Sequence, residues 1–313
     1  MYGFFLVIPL MLIIITGNLL RVKGFYTRGD IDVLTKTLYW VILPPLLFRT
    51  TYLSGREVLS HANLFWASTL CYLLTVVLAW IGARFFAHKG DIKRIALSTM
   101  GSIRANNIYL GFPVIYLALG DAGLHEAAIY IAVSTVSFQL ISLISGELAL
   151  NGNFRLASLK DAIIKITKNP MVISCLAGVL FALTGLEMPM PIDEAMKLMG
   201  GAATAIALLA LGGALDFSQM SRVVRILTET WYDTIFRLVI HPLIMWGCLL
   251  MLPVEQKQLQ VTVMLASMPT AINVFILSKE MGMDEEYGAN MVAATMVLSV
   301  VSIPLWANIL SIV

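Results

Sequence analysis

Five residues that could bind an anion or interrupt a helix lie within ten positions of one long apolar stretch: Arg104, Asn106, Asn107, Gly111 and Pro113. A guanidinium can bind a carboxylate through two parallel hydrogen bonds, and an amide both donates and accepts. Proline removes a backbone donor and glycine weakens a helix, so the pattern predicts two half-helices that separate near the Asn pair. Because backbone groups freed in hydrocarbon must be buried in protein or line a cavity, we expect a polar cavity near the membrane midplane.

A second stretch, about half the chain further on, has the same character. It contains Ser267, Pro269, Thr270 and Asn273, and an apolar half-helix follows it. Short apolar segments interrupted by proline or glycine, at corresponding positions of two chain halves, are a strong sequence indication of a secondary transporter's binding site. The two stretches therefore predict one site to which both halves of the chain contribute.

Arg104 is predicted to lie deep in the membrane. It follows the basic end of its span by about ten residues, which at ~1.5 Å per residue places its Cα roughly 15 Å from that end. A charge at this depth is expensive and is a functional hypothesis by default. Three interpretations stay open. The guanidinium binds a substrate carboxylate, it forms a fixed ion pair with Glu147 or Asp233, or the span boundary is displaced and the side chain is exposed.

The amide and hydroxyl side chains at the two breaks are further candidates for substrate binding. Asn106, Asn107 and Asn273 could contact a carboxylate, bridge the crossed half-helices or cap the breaks. We expect ligand contact for at least one of the three. The hydroxyls of Thr270 and Ser267 could add contacts to the same ligand.

Prolines are expected to shape the backbone of this region without touching a substrate. Pro113 and Pro269 are predicted to make the two breaks. Pro44 and Pro45, in the second predicted span, should kink that span and free carbonyl groups toward the same cavity.

Three titratable residues within or beside apolar runs could couple transport to protons or other ions. Asp233 and Glu147 are carboxylates, and His241 could exchange a proton near neutral pH. A lone His in an apolar run is more often a hydrogen-bonded structural residue. The sequence contains no cluster of intramembrane carboxylates typical of a sodium site, so the coupling ion stays open. No metal site or other cofactor is predicted.

Composition indicates a membrane protein with many spans. Apolar residues make up 59% of the 313 residues, charged residues 13%, and the mean hydropathy is +0.85, whereas soluble domains contain roughly a quarter charged residues. The net charge of +2 comes from basic residues scattered over the loops, so nucleic-acid binding is not indicated. Apolar runs predict ten helices, at 3–20, 31–53, 62–87, 92–119, 123–150, 168–186, 192–215, 228–252, 257–281 and 286–311.

Basic residues concentrate in alternate joints between the predicted spans. The positive-inside rule therefore places the odd-numbered joints in the cytoplasm and both termini outside, in a multi-pass protein of the cell membrane. The longest joint, at 151–168, is a predicted cytoplasmic loop between five-helix repeats at 1–150 and 169–313. An odd number of helices in each repeat makes the second one inverted, so the broken fourth and ninth helices should cross.

The two interrupted stretches together resemble the auxin efflux carrier family. The resemblance is carried by Asn106-Asn107-Ile-Tyr-Leu-Gly-Phe-Pro113 and by Met268-Pro-Thr-Ala-Ile-Asn-Val-Phe275, and it covers the whole chain. The family includes the plant PIN auxin exporters and bacterial malate and malonate permeases. The long cytoplasmic loop of many plant members is missing, which is typical of the compact bacterial type.

The resemblance implies an all-α fold similar to that of sodium/bile-acid symporters. Helices 1, 2, 6 and 7 would form a scaffold, often dimeric, against which helices 3–5 and 8–10 move as an elevator-type transport domain. Family members carry small organic anions. The chain is accordingly expected to act in the lipid bilayer as a homodimer that transports a carboxylate, either auxin-like or a dicarboxylate.

A membrane-embedded enzyme is not predicted, because the sequence has no His-Glu-x-x-His, Gly-x-Ser-x-Gly or Cys/His metal constellation. A cation-coupled symporter, a proton antiporter and a non-transporting ligand sensor with the same fold stay open. Cys71, Cys175 and Cys248 lie singly in apolar runs, so no disulfide is expected.

Overall fold

All regular structure in the described part of the chain is helical. The computed structural model describes residues 2–54, 61–152, 167–168, 170–214 and 223–312. Up to residue 152 the helices are α1 (Tyr2–Val22), α2 (Arg28–Thr37), α3 (Leu43–Ser54), α4 (Ala62–Gly82), α5 (Ile92–Gly101) and α6 (Phe112–Asn151). Beyond it they are α7 (Pro170–Thr184), α8 (Met190–Ala214), α9 (Val223–Glu229), α10 (Trp231–Ile235), α11 (His241–Leu250), α12 (Gln256–Ala266), α13 (Asn273–Glu280) and α14 (Glu285–Ile309). Most of the predicted loop at 151–168 lies outside the described residues.

Six helical stretches in the described part are long and apolar enough to cross a membrane: Gly29–Leu53, Ala62–Ala87, Asn107–Asn151, Met190–Ala214, Trp231–Leu250 and Glu285–Ile309. On α4, large apolar side chains at Trp66, Leu70, Leu73, Val77 and Ile81 are all exposed. Their spacing of three or four residues puts them on one helix face, which suits contact with lipid. This is the architecture of a polytopic membrane protein, the class that the composition predicts.

Short polar residues start several helices. Thr27 and Asp30 form a capping box at α2, in which each side chain accepts a hydrogen bond from the backbone of the other residue. The Asp91 side chain accepts from the third residue of α5, the Arg94 N–H, at 3.1 Å. The Asp284 side chain does the same at α14. The half-helix α5 therefore begins at a position that is fixed by a cap.

Three prolines are accommodated by widened π-helical turns. Each turn ends two residues before a proline: Leu38–Ile42 before Pro44, Asn107–Gly111 before Pro113 and Phe236–Ile240 before Pro242. A proline cannot donate to the preceding turn and its ring collides with the carbonyl of an ordinary α-helical turn. The π turn offers a different bonding pattern at that point, so the helix continues through Pro44 and Pro45. α6 is interrupted once, at Gly120, whose φ of 63° and ψ of −154° are not helical.

The helices pack as two groups that touch along one boundary. In the first group α1 and α2 pack against α8, and α3 packs against α7 and α8. In the second group α4 and α5 pack against α6, α11 against α4 and α12, and α13 against α14. Contacts of α1 with α14 and of α3 with α6 join the groups. The interrupted helices all belong to the second group.

α1 and α8 approach closely at glycines. A Cβ atom added at Gly212 would overlap the backbone carbonyl of Ile14, and one added at Gly17 would overlap the carbonyl of Leu209. Small residues allow helix backbones to come together in membranes, where van der Waals packing drives helix association. Gly201, on the same helix α8, has nothing within 4 Å of an added Cβ.

A Gly212→Ala substitution should destabilise the protein, because the added methyl group meets backbone atoms that cannot move aside. We expect the free energy of unfolding to fall by about 1–3 kcal/mol, the usual cost of overpacking. Gly201→Ala is the matched control, and it should leave stability unchanged or raise it by about 0.5–1 kcal/mol. Thermal unfolding of the detergent-solubilised variants measures both, and equal changes in melting temperature would contradict the close approach.

Candidate functional site

The two stretches singled out in the sequence are interrupted helices. α5 ends at Gly101, and helical structure resumes with the π turn at Asn107. α12 ends at Ala266, and α13 begins at Asn273. The non-helical segments, residues 102–106 and 267–272, are called the crossing below. The predicted interruptions near the Asn pair and around Pro269 are therefore present.

The two segments of the crossing are hydrogen-bonded to each other. The Asn106 N–H donates to the Pro269 carbonyl at 2.8 Å, and the Ala271 N–H donates to the Arg104 carbonyl at 2.9 Å. An isolated antiparallel β-bridge lies between these bonds. Each break thus satisfies backbone groups that the other exposes, which meets the requirement for polar backbone within an apolar interior.

The residues predicted to make the breaks occupy different parts of the crossing. Pro269 lies within it and supplies the carbonyl for Asn106. Pro113 follows it, in the first turn of α6, two residues after the π turn that accommodates the missing N–H. Gly111 lies against the other break, since a Cβ there would be 3.3 Å from the Met268 side chain and 2.7 Å from that of Leu265 at the end of α12.

A cavity of about 180 Å³ opens beside the crossing. Residues 105–109 and 271–273 form one side of it, so Asn106, Asn107 and Asn273 all line it. The rest of the lining comes from neighbouring helices: Tyr39, Tyr72, Ile131, Ser134, Thr135, Phe138 and Gln139. Tyr39 belongs to the first helix group and the others to the second. The cavity has room for roughly six water molecules at ~30 Å³ each.

Backbone N–H groups of the cavity lining are left without acceptors. Among the described residues no hydrogen bond is made by the N–H groups of Asn107, Ile108, Tyr109, Ile272 and Asn273. Four of them belong to the first turns of two helices, where no intrahelical acceptor exists, and Ile272 is the residue just before α13. Each helix N-terminus also carries roughly half a positive charge from its aligned peptide dipoles. The cavity therefore presents two partly positive, donor-rich surfaces.

The Asn106 side chain is buried and unpaired. It is 1% exposed, lines the cavity, and neither its amide nitrogen nor its amide oxygen has a hydrogen-bond partner among the described residues. The amide oxygen of Asn107 is unpaired in the same way. Buried polar atoms are nearly always satisfied, so an orphaned amide at a cavity indicates a position for a ligand or water. The Asn273 side chain is exposed at the same cavity.

Arg104 lies behind the cavity and not in its lining. Its side chain is 1% exposed, and its guanidinium donates to the Ser142 hydroxyl at 2.6 Å and to the Gln139 amide oxygen at 3.0 Å. Its central carbon lies 5.2 Å from the centroid of the Phe138 ring. No ion pair joins it to any described carboxylate. Gln139 therefore separates this charge from the cavity.

Two predicted hydroxyl contacts are also absent from the cavity lining. Ser267 is fully buried, and its hydroxyl donates to the carbonyl of Met264, one turn back in α12, at 2.7 Å. The backbone N–H of Thr270 donates to the Thr295 hydroxyl at 3.1 Å. The hydroxyl of Thr270 is buried without a partner among the described residues. Both residues support the crossing from within the protein.

The side chains of His241 and Glu147 both have hydrogen-bond partners within the protein. The His241 Nδ1 lies 3.1 Å from the Thr75 hydroxyl, and its ring stacks on Tyr72 with 6.3 Å between centroids. This favours the structural interpretation of the histidine. Glu147, near the end of α6, accepts a hydrogen bond from the Asn151 amide at 3.1 Å. Neither residue lines the cavity.

Asp233 belongs to a separate polar cluster. Its carboxylate accepts a hydrogen bond from the Tyr287 hydroxyl and lies 3.5 Å from His88 Nε2. The Arg94 guanidinium stacks on the Tyr287 ring and pairs with Asp284 at 2.9 Å. Partial burial by itself would raise the pKa of the Asp284 carboxyl. The Tyr287 N–H and the Arg94 charge together have the larger effect and hold this pKa below its ordinary value. The cluster ties the beginnings of α5, α10 and α14 together.

Arg237 is a structural centre that the sequence analysis missed. Its side chain is 1% exposed, and its three guanidinium nitrogens donate to three backbone carbonyls at the crossing. The acceptors are Ser102 at 2.9 Å, Ala266 at 2.8 Å and Met268 at 3.0 Å. One side chain thus binds the carboxyl ends of α5 and α12 together.

The spacing of Arg237 from two other ionisable residues could have identified it from the sequence. Asp233, Arg237 and His241 follow one another at intervals of four residues, which puts all three on one helix face. All three are buried. Three ionisable residues repeating every four positions in an apolar span mark a buried polar face. The sequence analysis considered Asp233 and His241 separately, as candidates for ion coupling, and so did not detect this face.

The described lining suits a small anion better than a cation or a metal. It contains donors from backbone and amides, tyrosine and serine hydroxyls, and neither a carboxylate nor a cationic side chain. In the part of the chain that the structure describes, no group of three His, Cys, Asp or Glu side chains could hold a metal ion. Helix N-termini are anion-binding elements in many proteins.

Comparisons with known proteins give a consistent result over nearly the full chain. A family model described as "Membrane transport protein" matches residues 2–307. An "Uncharacterized transporter" of Methanothermobacter thermautotrophicus is 26% identical over 308 residues, which are 97% of this chain and 97% of that protein. A "Putative malonate transporter" of Rhizobium meliloti is 25% identical over 307 residues, or 95% and 92% of the two chains. The "Uncharacterized transporter YfdV" of Escherichia coli is 22% identical over 305 residues, or 96% and 95%.

Replacement of Ser142 by alanine should destabilise the protein, because the Ser142 hydroxyl accepts from Arg104 and donates to the Met100 carbonyl at 3.1 Å. A buried guanidinium left without this acceptor is expected to lower the free energy of unfolding by about 1–3 kcal/mol. Ser145→Ala is the control, because the Ser145 hydroxyl bonds only to its own helix, at the Ser142 carbonyl. Thermal unfolding should separate the two variants. Equal stability would mean that Arg104 is not held by Ser142.

Proposed function

Because the chain belongs to the membrane transport protein family, the auxin efflux carrier family that its two stretches resemble, we propose that it is a secondary transporter of a small organic anion. The observation that carries this proposal is the pair of helix N-termini, with five unpaired N–H groups, at one cavity. In transporters built from interrupted helices, half-helix N-termini point at the anionic group of the substrate.

Asn106, Asn107 and Asn273 are assigned to substrate binding. The unpaired amide nitrogen of Asn106 can donate to a carboxylate oxygen beside the N–H groups of the same turn. Asn273 approaches from the other half of the chain. Arg104 acts through Gln139, whose amide it orients, and it adds a positive charge behind the wall. Thr270 and Ser267 keep the crossing in shape.

The cavity supports a short carboxylate as substrate. Its volume of about 180 Å³ is below the ~300–1,000 Å³ of typical ligand pockets. A short mono- or dicarboxylate is closer to this size than an auxin-like acid with an indole ring. The relative from Rhizobium meliloti is named for malonate, which is an anion of this class. Two facing N-termini would suit the two carboxylates of such a molecule.

Transport by an elevator motion is the proposed mechanism. In this proposal the chain forms ten spans in two inverted repeats, at 1–150 and 169–313, with the loop 151–168 between them. α1–α3, α7 and α8 would be the scaffold, and α4–α6 with α10–α14 the transport domain. The packing of the helices in two groups supports this division. The crossing would travel with the transport domain, while Tyr39 of the scaffold closes one side of the cavity.

The proposed setting is the cell membrane, with both termini on the extracytoplasmic side and two copies joined through their scaffolds. Coupling to protons or sodium is left to experiment. Asp233 is hydrogen-bonded to Tyr287 and His241 to Thr75, and neither partner lines the cavity. Glu147 is paired with Asn151 near the end of α6. A coupled ion would therefore act on the anion indirectly.

Flux measurements with purified protein in liposomes test this function. The panel consists of labelled short mono- and dicarboxylates, malonate among them, together with indole-3-acetate. We expect saturable uptake of a short carboxylate and weaker uptake of indole-3-acetate. Imposed sodium, pH and voltage gradients applied one at a time identify the coupling. Binding of a carboxylate without flux under any gradient would identify a sensor and contradict the proposal.

Asn106→Ala should weaken substrate binding without reducing stability. The lost amide contact is expected to raise the dissociation constant of the transported carboxylate about 5- to 150-fold, corresponding to ~1–3 kcal/mol. Asn63→Ala is the control, because Asn63 donates to the Pro253 carbonyl at 3.0 Å, away from the cavity. Equilibrium binding and thermal unfolding of both variants make the comparison. Unchanged affinity in Asn106→Ala would remove this residue from the binding site.

A further inference from the structure

We propose that Arg237 makes the site selective for anions, as a positioning residue that neutralises two helix C-termini and does not touch the substrate. This inference rests on the proposed anion transport and assigns the source of its charge selectivity. Arg237 does not line the cavity and lies on the π turn between α10 and α11.

Four helix ends meet at the crossing, and their dipoles oppose one another. The C-termini of α5 and α12 each carry roughly half a negative charge, and the N-termini beside the cavity each carry roughly half a positive charge. Without another charge the four ends would largely cancel. The interrupted helices alone would therefore give a polar site with little preference for the sign of its ligand.

The guanidinium of Arg237 offsets the negative charge at the C-termini of α5 and α12. It donates to Ser102, the C-cap of α5, and to Ala266, the last residue of α12. Its third bond reaches Met268, within the same break. Cations at helix C-termini are stabilising because they offset the negative end of the dipole. A planar group with five donors can serve both helices at once, which a lysine cannot.

The charge of Arg237 is not cancelled by a neighbouring carboxylate in the described structure. Asp233, one turn earlier on the same face, forms no ion pair with it among the described residues and instead accepts a hydrogen bond from Tyr287. The next titratable group on that face, His241, is hydrogen-bonded to Thr75. No described carboxylate lines the cavity to offset the N-termini either. The positive charge of Arg237 therefore adds to that of Arg104 behind the wall, and the crossing keeps a net positive charge, which favours an anion.

A structural role alone would give a different result from an electrostatic one. If Arg237 only satisfies carbonyl groups, its loss would weaken binding of every ligand to a similar degree. If its charge sets selectivity, its loss would weaken binding of anions and leave an uncharged ligand of the same shape nearly unaffected. Malonate, malonamate and malonamide are matched in shape and carry two, one and no negative charges.

The experiment measures binding of these three compounds to the purified full chain in detergent, at a pH where malonate is fully ionised. In the wild type malonate should bind most tightly and malonamide least. Arg237→Gln should reduce malonate affinity about tenfold or more, malonamate affinity less, and malonamide affinity less than about twofold. Arg237→Lys keeps the charge and should retain the malonate preference within about threefold of the wild type. Arg84→Gln removes an arginine that stacks on Trp80 and does not line the cavity, and it should change none of the three affinities.

A second pair of variants applies if Arg237→Gln does not fold. His241→Glu places a carboxylate one turn from Arg237, where residues four apart on a helix are neighbours, and should offset the arginine charge while its carbonyl bonds remain. His241→Gln is the neutral counterpart. We expect the preference for malonate over malonamide to fall in the Glu variant and to persist in the Gln variant.

The outcomes separate this inference from the proposed function. Equal losses for all three compounds in Arg237→Gln, or an unchanged preference in both Arg237→Gln and His241→Glu, would overturn the selectivity role alone. Loss of the preference in Arg237→Lys would overturn it as well. A wild-type protein that binds none of the three compounds would overturn the proposed transport of short carboxylates and the inference with it.

Discussion

The site depends on one requirement, which is that the polar backbone of two chain interruptions must be satisfied inside an apolar bundle. Hydrocarbon offers no hydrogen bonds, so an interrupted helix is stable only where the protein supplies the partners. Here the Asn106 and Ala271 N–H groups bond across the crossing, and Arg237 takes up carbonyls on both sides. The groups left over are the N–H donors of the two restarting helices, and these line the cavity. The proposed binding surface therefore consists of the backbone donors that this hydrogen-bond network leaves unpaired.

The cavity is positive because the carboxyl and amino ends of the interrupted helices have different surroundings. The carboxyl ends of α5 and α12 are buried against a guanidinium, whereas the amino ends of the π turn at Asn107 and of α13 have a cavity in front of them. An anion in the cavity would complete the pattern, because each type of end would then have its counter-charge. In the proposed function, the helix ends and the buried guanidinium behind them together favour an anionic substrate, without a cationic side chain in the described lining.

Sequence reasoning located the interruptions but not the directions of the side chains. Proline, glycine and asparagine at 104–113 and 266–273 indicate breaks because their effects on helices are local. Side-chain direction follows from periodicity only within regular helices, and Arg104 lies in a non-helical segment that turns its guanidinium to Ser142 and Gln139. Arg237 was missed for a different reason. Its three carbonyl partners come from breaks that are distant in sequence, so no local pattern pairs the arginine with them.

Diffraction from crystals of the protein soaked in bromomalonate would test the central claim most directly, since bromine is located by its anomalous signal. The account predicts a bromine peak in the cavity, with carboxylate oxygens ~2.7–3.2 Å from the Asn106 amide nitrogen and from the backbone nitrogen of Ile272. A peak elsewhere, for example in the separate space lined by Arg49 and His125, would contradict it. So would a helix that runs without interruption through residues 102–106.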